Sequence, residues 1–496
     1  MAQMTHRRRA SARAAALGRA TLLTAFALAC TLPLTAVRAQ SAVPYQPALS
    51  AAWDGHTAKA LRLIDVYLAA HPNDHAAQLD RARFLAWMGA YAKADDALAK
   101  FGANDQEALA LRARVLAWAE RRHAALAINA PLYAADPSDD DNAWTQALIL
   151  RQGEWPQQAL PALATVQADK PDDKDTNDLA KAVRLPLFSW VGLTPSLYSD
   201  SDHIEIRTLD LDSSLWLADR WRLLADVTRR RHSAPFGGPF APLLGDNHVD
   251  EDRIGSGLRF APSPDIALEL WLGNSRIDNG RGGENETIGH LLFSQYASDA
   301  FRYTITADRD RVDASPRALT VMRNGLAVDL SWTPTLRDRI DAHIAHDDFD
   351  DDNRRASALV SYARAVYRGE RATLDLGVQG ETQHNSLNTD NGYYSPDRYR
   401  RYAFTASSYI SISDEVGLSL STALGQQRDE TFSQWKRAFD ISGALTVGIF
   451  THWQLVGRAG YSQRLNQFGR YIGSNVGLEL RYRFCEFRAD RCPSVR

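Results

Sequence analysis

Apolar and polar side chains alternate with a period of two along most of the chain after residue 186. The segment 477–484, GLELRYRF, is the clearest case, because its even positions are apolar and most of its odd positions are charged. Successive side chains of a strand point to opposite faces, so one face of this segment suits lipid and the other suits water. The pattern predicts a strand of a membrane barrel, with the edge strand of a soluble sandwich as the alternative.

The same alternation recurs upstream and favours the barrel. Phe301, Tyr303 and Ile305 alternate with arginine and threonine, and similar alternation surrounds Leu376 and Leu418. Bacterial single-chain barrels have an even number of strands, and fourteen or eighteen are the nearest alternatives to our count. We count sixteen candidate strands, at 187–198, 204–217, 220–231, 252–261, 265–275, 286–297, 300–310, 322–333, 336–346, 354–367, 370–381, 398–412, 415–427, 437–449, 452–464 and 471–484.

The predicted connections alternate between short and long. Outer-membrane barrels have short periplasmic turns and longer extracellular loops. Short turns such as 297–299, 368–370 and 413–415 take turns with long polar loops at 232–251, 276–285, 311–321, 347–353 and 382–397. We expect the long loops to lie outside the cell. If a loop plugs the barrel, the candidates are 232–251 and 382–397.

Residues from about 43 to 182 have helical periodicity and repeat themselves. Similar segments surround Trp87, Trp118 and Trp155, and helix breakers recur at 71–74, 102–105, 136–139 and 170–173. The period of about 31 to 34 residues is that of tetratricopeptide repeats. About three and a half repeats are enough to bury a continuous core. The region resembles the tetratricopeptide family with degenerate motifs.

Within each predicted repeat, small and rigid residues mark the turns. Glycine permits close packing at the turn between paired helices, although Glu120 stands where one glycine is expected. Proline ends the second helix of a pair. The residues concerned are Gly55, Gly89 and Gly153 for the turns and Pro72, Pro137 and Pro171 for the helix ends.

The N-terminus has the parts of a secretory signal peptide. Arginines between positions 7 and 19 precede an apolar run at 22–34 and a small-residue cleavage site at 37–39. No later apolar run reaches the roughly 18 residues of a spanning helix, so a membrane-embedded mature chain would have to be a barrel. We expect a signal peptide at 1–39, a periplasmic repeat domain at 40–185, an outer-membrane barrel at 186–484 and a periplasmic tail at 485–496.

Composition and candidate chemistry narrow the function. The 496-residue chain has a formal net charge of −3, and nothing in it suggests nucleic-acid binding.

In an oxidising periplasm Cys485 and Cys492 are expected to form one small disulfide loop. The acidic segment 346–353 lacks the glycine and closing glutamate of an EF-hand and is interpreted as a solvated loop. We expect no cofactor and no metal site.

Enzymatic activity is not expected either. A hydrolase of the outer membrane needs a nucleophile, a base and an orienting group close together, and the histidines here are scattered. The best pair, Asp341 and His343, is interpreted as a hydrogen bond inside the barrel.

Charges of both signs fall on the predicted inward face. Any barrel interior is polar, and mixed ion pairs would hold it rigid, but together these residues predict a water-filled lumen. Gly255, Gly257, Gly417 and Gly425 would leave space in it, or would accommodate strand curvature. The ten positions singled out as lining the lumen are Asp226, Glu269, Asp308, Asp375, Asp440, Glu479, Arg222, Arg302, Arg458 and Arg481.

A signal peptide, helical repeats and a C-terminal barrel of about sixteen strands together resemble the outer-membrane exopolysaccharide exporters, above all the poly-β-1,6-N-acetylglucosamine export porin family. The resemblance is architectural and covers the whole mature chain. It implies a bacterial outer-membrane location, a glycan passing through the barrel in biofilm formation, and repeats in the periplasm that bind the polymer or a glycan-modifying enzyme such as a deacetylase.

This resemblance implies that the ten lumen residues contact the polymer, and that the partners of the protein are membrane lipid and the secreted polysaccharide. We expect a monomeric barrel. The family has a longer repeat region and an acidic lumen, whereas the predicted lumen here is balanced, so the identity of the glycan stays open. The alternative is a structural or receptor barrel that recruits a periplasmic partner and conducts no polymer. A passive diffusion porin is the third possibility.

Overall fold

The computed structural model describes residues 45–243, 245–280, 282–369, 371–466 and 469–485. The predicted signal peptide and most of the tail lie outside the described residues. Within the described part, a helical domain precedes a closed barrel. The nine α-helices of the helical domain are α1 Gln46–Trp53, α2 Thr57–Ala70, α3 His75–Trp87, α4 Tyr91–Leu98, α5 Gln106–Trp118, α6 Arg122–Ala135, α7 Asp140–Leu150, α8 Leu160–Asp169 and α9 Lys174–Arg184.

The repeat predicted from the sequence is confirmed by where these helices begin. Helices α3, α5, α7 and α9 begin at residues 75, 106, 140 and 174, at intervals of 31, 34 and 34 residues. Each follows the last aspartate of a breaker, whose carboxylate accepts a hydrogen bond from a backbone N–H in the first turn of the helix. This N-cap satisfies a donor that the helix itself leaves free. The four capping residues are Asp74, Asp105, Asp139 and Asp173.

The first helix of a pair ends in the same way in three repeats. Gly55, Gly89 and Glu120 all have positive φ, at 77°, 71° and 60°. In each case this residue and the next donate to backbone carbonyls in the last turn, which is a Schellman motif. The predicted glycines are therefore needed for their backbone angle, and Glu120 adopts that angle without being a glycine. Close packing, the reason given from the sequence, is not the main one here.

Small side chains let the helices pack closely in the core of this domain. The fully buried alanines Ala60, Ala94 and Ala159 occupy equivalent places in three successive clusters. Larger residues such as Phe84 and Leu163 fill the space between helix pairs. The clusters adjoin one another, so the repeats share a continuous core as in other solenoids.

The barrel contains sixteen antiparallel strands within the described residues, and the predicted count is confirmed. Each strand pairs with its sequence neighbours, and β1 pairs with β16 to close the sheet. The strands are β1 Ser189–Asp200, β2 Glu205–Ala218, β3 Trp221–Ser233, β4 His248–Ser263, β5 Ile266–Asp278, β6 Gly283–Ser298, β7 Phe301–Arg311, β8 Met322–Trp332, β9 Asp338–Phe349, β10 Arg354–Arg368, β11 Ala372–Asn385, β12 Tyr399–Ser413, β13 Val416–Arg428, β14 Lys436–Val447, β15 Trp453–Asn466 and β16 Gly469–Phe484.

The two ends of the barrel differ as the sequence predicts. One end carries the short connections and the start of β1, and we call it the inner mouth. The other end carries the longer connections, including 234–247, 312–321 and 386–398, and we call it the outer mouth. The strands extend further toward the outer mouth than predicted, so these loops are shorter than expected.

The helical domain is joined to the barrel by a short turn. Helix α9 ends at Arg184, a 3₁₀ turn covers Leu185–Leu187, and β1 begins at Ser189. Cys485, directly after β16, is disulfide-bonded. Its predicted partner Cys492 lies outside the described residues, so that pairing stays a prediction. In the part of the chain that the structure describes, no helix is both long and apolar enough to span a bilayer.

Candidate functional site: the barrel lumen and its two mouths

The two faces of the barrel wall differ sharply in chemistry. Large apolar residues such as Leu376 and Leu420 are 46% and 42% exposed, and they lie at the positions predicted to face lipid. On β16 the predicted alternation is confirmed, because Leu478 and Leu480 are exposed whereas Glu479 and Arg483 are buried. An apolar outer face and a polar inner face are typical of a transmembrane barrel.

All ten predicted lumen residues lie on strands, at positions opposite to the exposed apolar face. Several of the carboxylates among them accept hydrogen bonds or ion pairs from arginine. The pairs are Glu269 with Arg259 at 3.2 Å, Asp308 with Arg323, Asp375 with Arg368 at 2.5 Å, Asp440 with Arg401 and Arg464, and Glu479 with Arg458 at 2.7 Å and Arg481 at 2.5 Å. These side chains therefore form the mixed ion pairs that the sequence predicted.

Three of the predicted arginines also contact aromatic rings. The guanidinium of Arg222 lies 3.9 Å from the ring centre of Trp216 and donates to the carbonyl of Pro186 at 2.8 Å. Arg302 lies over Tyr296 at 4.9 Å, and Arg481 over Trp190 at 4.1 Å. Arg222 thus fastens the turn between the two domains, a role that the alternation pattern alone does not indicate.

Asp226 lies in the middle of β3, opposite Asp212 on β2 and Gly255 on β4. A Cβ at Gly255 would lie 1.9 Å from the indole of Trp271. Likewise, a Cβ at Gly417 would meet the ring of Tyr409. These predicted glycines make room for aromatic side chains on neighbouring positions, so the idea that they leave empty space for a polymer is wrong there.

Two further expectations need correction. His343 contacts Asp329 of β8 at 2.7 Å, whereas Asp341 accepts from Ser331, so the hydrogen bond inside the barrel joins neighbouring strands instead of the predicted pair. The acidic segment 346–353 is also less solvated than expected. Strand β9 continues to Phe349, so Asp347 belongs to the strand and its side chain faces the lumen. There it is buried between Arg323 and Arg355.

Ion-paired charges lie around much of the inner wall, and several of them are buried. Arg253, only 9% exposed, pairs with the fully buried Glu251 at 2.6 Å and with Asp310. Glu269 accepts from His290 at 2.9 Å as well as from Arg259. Buried charges are tolerated when they are paired in this way. The predicted list omitted Glu251 and Arg253, although their odd positions continue the alternation with the apolar Ile254 and Leu258.

A cavity of about 520 Å³ borders the inner wall from β9 to β1, and Arg339 and Asp440 are among the residues that line it. Its lining is rich in serine and threonine, including Ser361, Thr405, Ser407, Ser421 and Ser442. Among the described residues, no cluster of three or more histidine, cysteine, aspartate or glutamate side chains is arranged to hold a metal ion.

A loop of the outer mouth folds into the barrel. Loop 312–321 contains a 3₁₀ turn at Ala318–Thr320, and its fully buried Leu319 packs against Val249 and Ile277 on the inner face of β4 and β5. Arg311 supports this position by donating to the carbonyl of Leu319 at 2.9 Å. The inserted loop is therefore neither of the two candidates predicted from length.

Those two longer loops instead hold the inserted loop from outside. Arg317 donates to the carbonyls of Ala241 at 2.9 Å, Gly238 at 3.1 Å and Asp390 at 3.0 Å. Ser315 donates to the carbonyl of Gly392 at 2.7 Å. Three loops are thus fastened through backbone carbonyls, a type of contact that leaves no sequence pattern.

The helical domain docks on the inner mouth. The carboxylate of Asp299, in the β6–β7 connection, accepts hydrogen bonds from the backbone N–H groups of His123 and Ala124, both at 2.8 Å. It therefore caps the N-terminus of α6 from the barrel side. Arg121 donates to Thr333 of the β8–β9 connection, at 2.9 Å to the hydroxyl and 2.7 Å to the carbonyl.

A second contact lies beside the first. The N–H of Glu154 donates to the carbonyl of Pro264 at 3.0 Å, and the Trp155 indole donates to the carbonyl of Ala261 at 2.9 Å. The Glu154 carboxylate reaches Arg259 on the inner wall at 2.8 Å. The Cβ of any residue replacing Gly153 would lie 2.8 Å from the Pro264 carbonyl, so this approach requires glycine.

Comparison with known proteins agrees with the predicted resemblance. Residues 196–411 match the family model described as the PgaA membrane beta barrel domain. A search of curated protein sequences found no match. The predicted resemblance to the poly-β-1,6-N-acetylglucosamine export porin family is thereby confirmed over residues 196–411 of the barrel, and the chain is a bacterial outer-membrane barrel protein.

Comparison with solved structures found one neighbour with a TM-score of 0.50 and others with lower scores. A bacterial polysaccharide outer membrane secretin is 16% identical, with a TM-score of 0.50 over 60% of this chain and 98% of its own. CdiB from Acinetobacter baumannii is 9% identical, with a TM-score of 0.39 over 59% and 60%. Pseudomonas aeruginosa OccK11 (OpdR) is 10% identical, with a TM-score of 0.33 over 60% and 96%. At 16% identity the likeness to the secretin concerns the fold alone.

Proposed function

We propose that this chain is an outer-membrane porin that exports an exopolysaccharide of the poly-N-acetylglucosamine type in biofilm formation. The single observation that carries the proposal is the match of the barrel to the PgaA membrane beta barrel domain, in a chain that also places helical repeats at the inner mouth. The polysaccharide named for the similar secretin structure agrees with it.

The lumen fits transport of a long, hydrated polymer. A conduit needs weak, repeated contacts so that the polymer can both enter and leave. Ion pairs occupy many of the lumen charges, and hydroxyl groups are common in the lining of the cavity. The pairing of these carboxylates with arginine limits the trapping of a charged chain.

The helical domain is proposed to receive the polymer, or a periplasmic glycan-modifying enzyme, at the inner mouth. Its contacts with the β4–β5, β6–β7 and β8–β9 connections support this proposal, because the inner mouth is the end at which a chain from the periplasm would enter. In this scheme, loop 312–321 must shift for the polymer to leave, because Leu319 packs against the inner wall at the outer mouth.

Deletion of the gene tests export directly. Export predicts that the glycan disappears from the medium and accumulates in the periplasm, and that expression of the full chain restores secretion. As a control, surface labelling of the complemented strain checks that the barrel has reached the outer membrane. Unchanged secreted glycan after deletion would contradict the proposal.

A receptor or structural barrel is the second candidate, and the inserted loop favours it. A barrel that carries loop 312–321 inside one mouth and a helical domain at the other could serve without conducting polymer. A receptor or structural role predicts that deletion of the gene leaves glycan secretion intact. In the same strain, a periplasmic protein should no longer co-purify with the outer membrane.

A further inference from the structure

Three arginines lie on the outer surface of the barrel at the outer mouth. Arg400 is the second residue of β12, Arg428 is the last residue of β13 and Arg437 is the second residue of β14. Each lies four residues from a large exposed apolar side chain of its own strand, so it faces outward, away from the lumen. These apolar residues are Phe404, Leu424 and Ile441.

Strand register brings the three arginines together. Arg400 lies directly opposite Arg428. Arg437 lies opposite Gln426, which is two residues before Arg428 on the same face, so Arg437 is the diagonal neighbour of Arg428. Like charges at such positions destabilise a sheet. We call Arg400, Arg428 and Arg437 the basic patch, and a negative charge from outside the chain would stabilise it.

The acidic residues next to these strand ends are engaged elsewhere. Asp397 pairs with Arg398 at 3.4 Å. The buried Asp429 accepts from the Tyr394 hydroxyl at 2.6 Å. Glu430 accepts from the backbone N–H groups of residues 397 and 398 at 2.9 and 3.0 Å. Among the described residues, no carboxylate forms an ion pair with the basic patch.

Other outward-facing arginines at the outer mouth have acidic partners. On β3 and β10 each of them contacts a carboxylate of a neighbouring strand. The pairs are Arg229 with Asp252 at 3.8 Å, Arg231 with Asp250 at 2.6 Å and Arg354 with Asp348 at 3.4 Å. The missing acidic partner is therefore a property of the basic patch, and it does not extend to all arginines at this end of the barrel.

Aromatic side chains place the basic patch relative to the bilayer. Tyr402 follows Arg400 on the same face of β12, one step closer to the middle of the strand, and its ring lies 5.4 Å from that of Trp435. The two side chains are 58% and 39% exposed. Aromatic residues on the outside of a barrel mark the boundary between the apolar band and the headgroups. The basic patch therefore lies at the level of the lipid headgroups of the outer leaflet.

We propose that the basic patch binds the phosphate groups of an anionic lipid in the outer leaflet of the outer membrane. This goes beyond the proposed export function, because the patch lies on the outer surface of the wall. A guanidinium group matches phosphate through two parallel hydrogen bonds and stays charged at physiological pH. The acyl chains of the same lipid would lie against Phe404 and Leu424, which are 74% and 56% exposed.

Native mass spectrometry of the purified full chain in detergent tests the proposal. The probe is diphosphoryl lipid A, titrated to give a dissociation constant. We expect the variant Arg400→Gln/Arg428→Gln/Arg437→Gln to bind it about tenfold to a hundredfold more weakly, because each basic residue near a membrane surface contributes roughly a fivefold factor. Lipid A without its two phosphates should bind the wild type as weakly.

A matched variant removes three outward-facing arginines that have acidic partners. Arg229→Gln/Arg231→Gln/Arg354→Gln should retain the wild-type affinity for diphosphoryl lipid A. Inorganic phosphate in large excess should leave the lipid bound, because the acyl chains contribute to its affinity. Circular dichroism checks the strand content of each variant.

Four results would overturn the inference. They are wild-type affinity in the basic-patch variant, an equal loss in the matched variant, equally tight binding of lipid A without phosphates, and displacement of lipid A by inorganic phosphate. The last would show an anion site that does not select lipid. If the basic-patch variant does not fold, the two forms of lipid A still decide the question on the wild type.

Discussion

Single residues decide where the helices of the repeat domain begin and end. Asp105 shows how, because its carboxylate caps α5 through the N–H of Ala108 at 3.0 Å and also contacts His75 of the preceding repeat at 2.6 Å. One side chain therefore fixes a helix terminus and links two repeats. The breaker pattern in the sequence marks these positions, but it does not separate a capping aspartate from any other turn residue.

The His75–Asp105 contact predicts a pH optimum for the repeat domain. The hydrogen bond between them raises the pKa of His75 above 6.5 and, together with the N-cap, lowers the pKa of Asp105 below 3.8. The stabilisation from His75 is complete below pH 6.5 and is lost as the pH rises through its raised pKa. The stabilisation from Asp105 is complete above pH 3.8 and is lost as the pH falls through its lowered pKa.

Thermal unfolding followed at the helical circular-dichroism signal checks this. Between those limits, near pH 5, His75→Ala should lower the melting temperature most, and at about pH 9 the difference should shrink. A difference that is the same at both pH values would show that the charge of His75 plays no part.

The Schellman turns predict a second residue-scale effect. Gly55→Ala places a Cβ on a residue with φ of 77°, and this strain should cost about 1 kcal/mol of unfolding free energy. Gly102→Ala is the matched control, because nothing lies within 4 Å of the added Cβ and its φ is ordinary. Denaturant unfolding of the helices should show a loss for Gly55→Ala alone; equal losses would contradict the role of φ.

At the scale of elements, the barrel and the helices share one helix terminus. Asp299 caps α6 from a strand connection, with 15% of its side chain exposed. A carboxylate at a helix N-terminus is favoured by the hydrogen bonds and by the helix dipole. A residue of the barrel therefore caps a helix of the repeat domain and links the two domains.

Asp299→Ala should release the first turn of α6 while leaving the barrel intact. We expect hydrogen exchange at His123 and Ala124 to quicken by about tenfold, since a lost cap costs roughly 1 kcal/mol or more. Asp414→Ala serves as the control, because Asp414 lies in another connection of the inner mouth and contacts Lys174 of α9, at 3.7 Å, instead of α6. Unchanged exchange in Asp299→Ala would mean that docking does not depend on this cap.

At the scale of the whole molecule, both mouths of the barrel are occupied by chain from elsewhere in the sequence. Helical connections dock on the inner mouth, and loop 312–321 enters the outer mouth. Loops and docked domains are the parts that open most easily, because they bury less apolar surface than the core. Passage through the lumen is therefore expected to depend on movement at the mouths.

Arg317 provides a test of the outer mouth. Arg317→Ala removes three hydrogen bonds to loop carbonyls, so loop 312–321 should leave the lumen more often and the mean conductance in a planar bilayer should rise severalfold. Arg398→Ala, an exposed arginine in loop 386–398 that pairs with its neighbour Asp397, should leave it unchanged. Equal conductance in both variants would show that the loop does not limit the channel.

The sequence by itself determined the architecture, because each part of it follows from a local period. Alternation of period two marks all sixteen strands within a few residues of their observed ends, and it also places Glu479 and Arg481 inside the barrel. Helix breakers that recur at regular intervals mark the helical repeat. These patterns depend on neighbours along the chain, and neighbours along the chain are what a sequence shows.

Only the tertiary structure decided which residues meet across the barrel. His343 pairs with Asp329 instead of Asp341, and the inserted loop is 312–321 instead of a longer one. Strand register brings Ser421 beside Ser442, and domain docking brings Asp299 to α6. Such contacts join positions far apart in the chain through backbone carbonyls and single side chains. They have no period, and therefore only the folded chain reveals them.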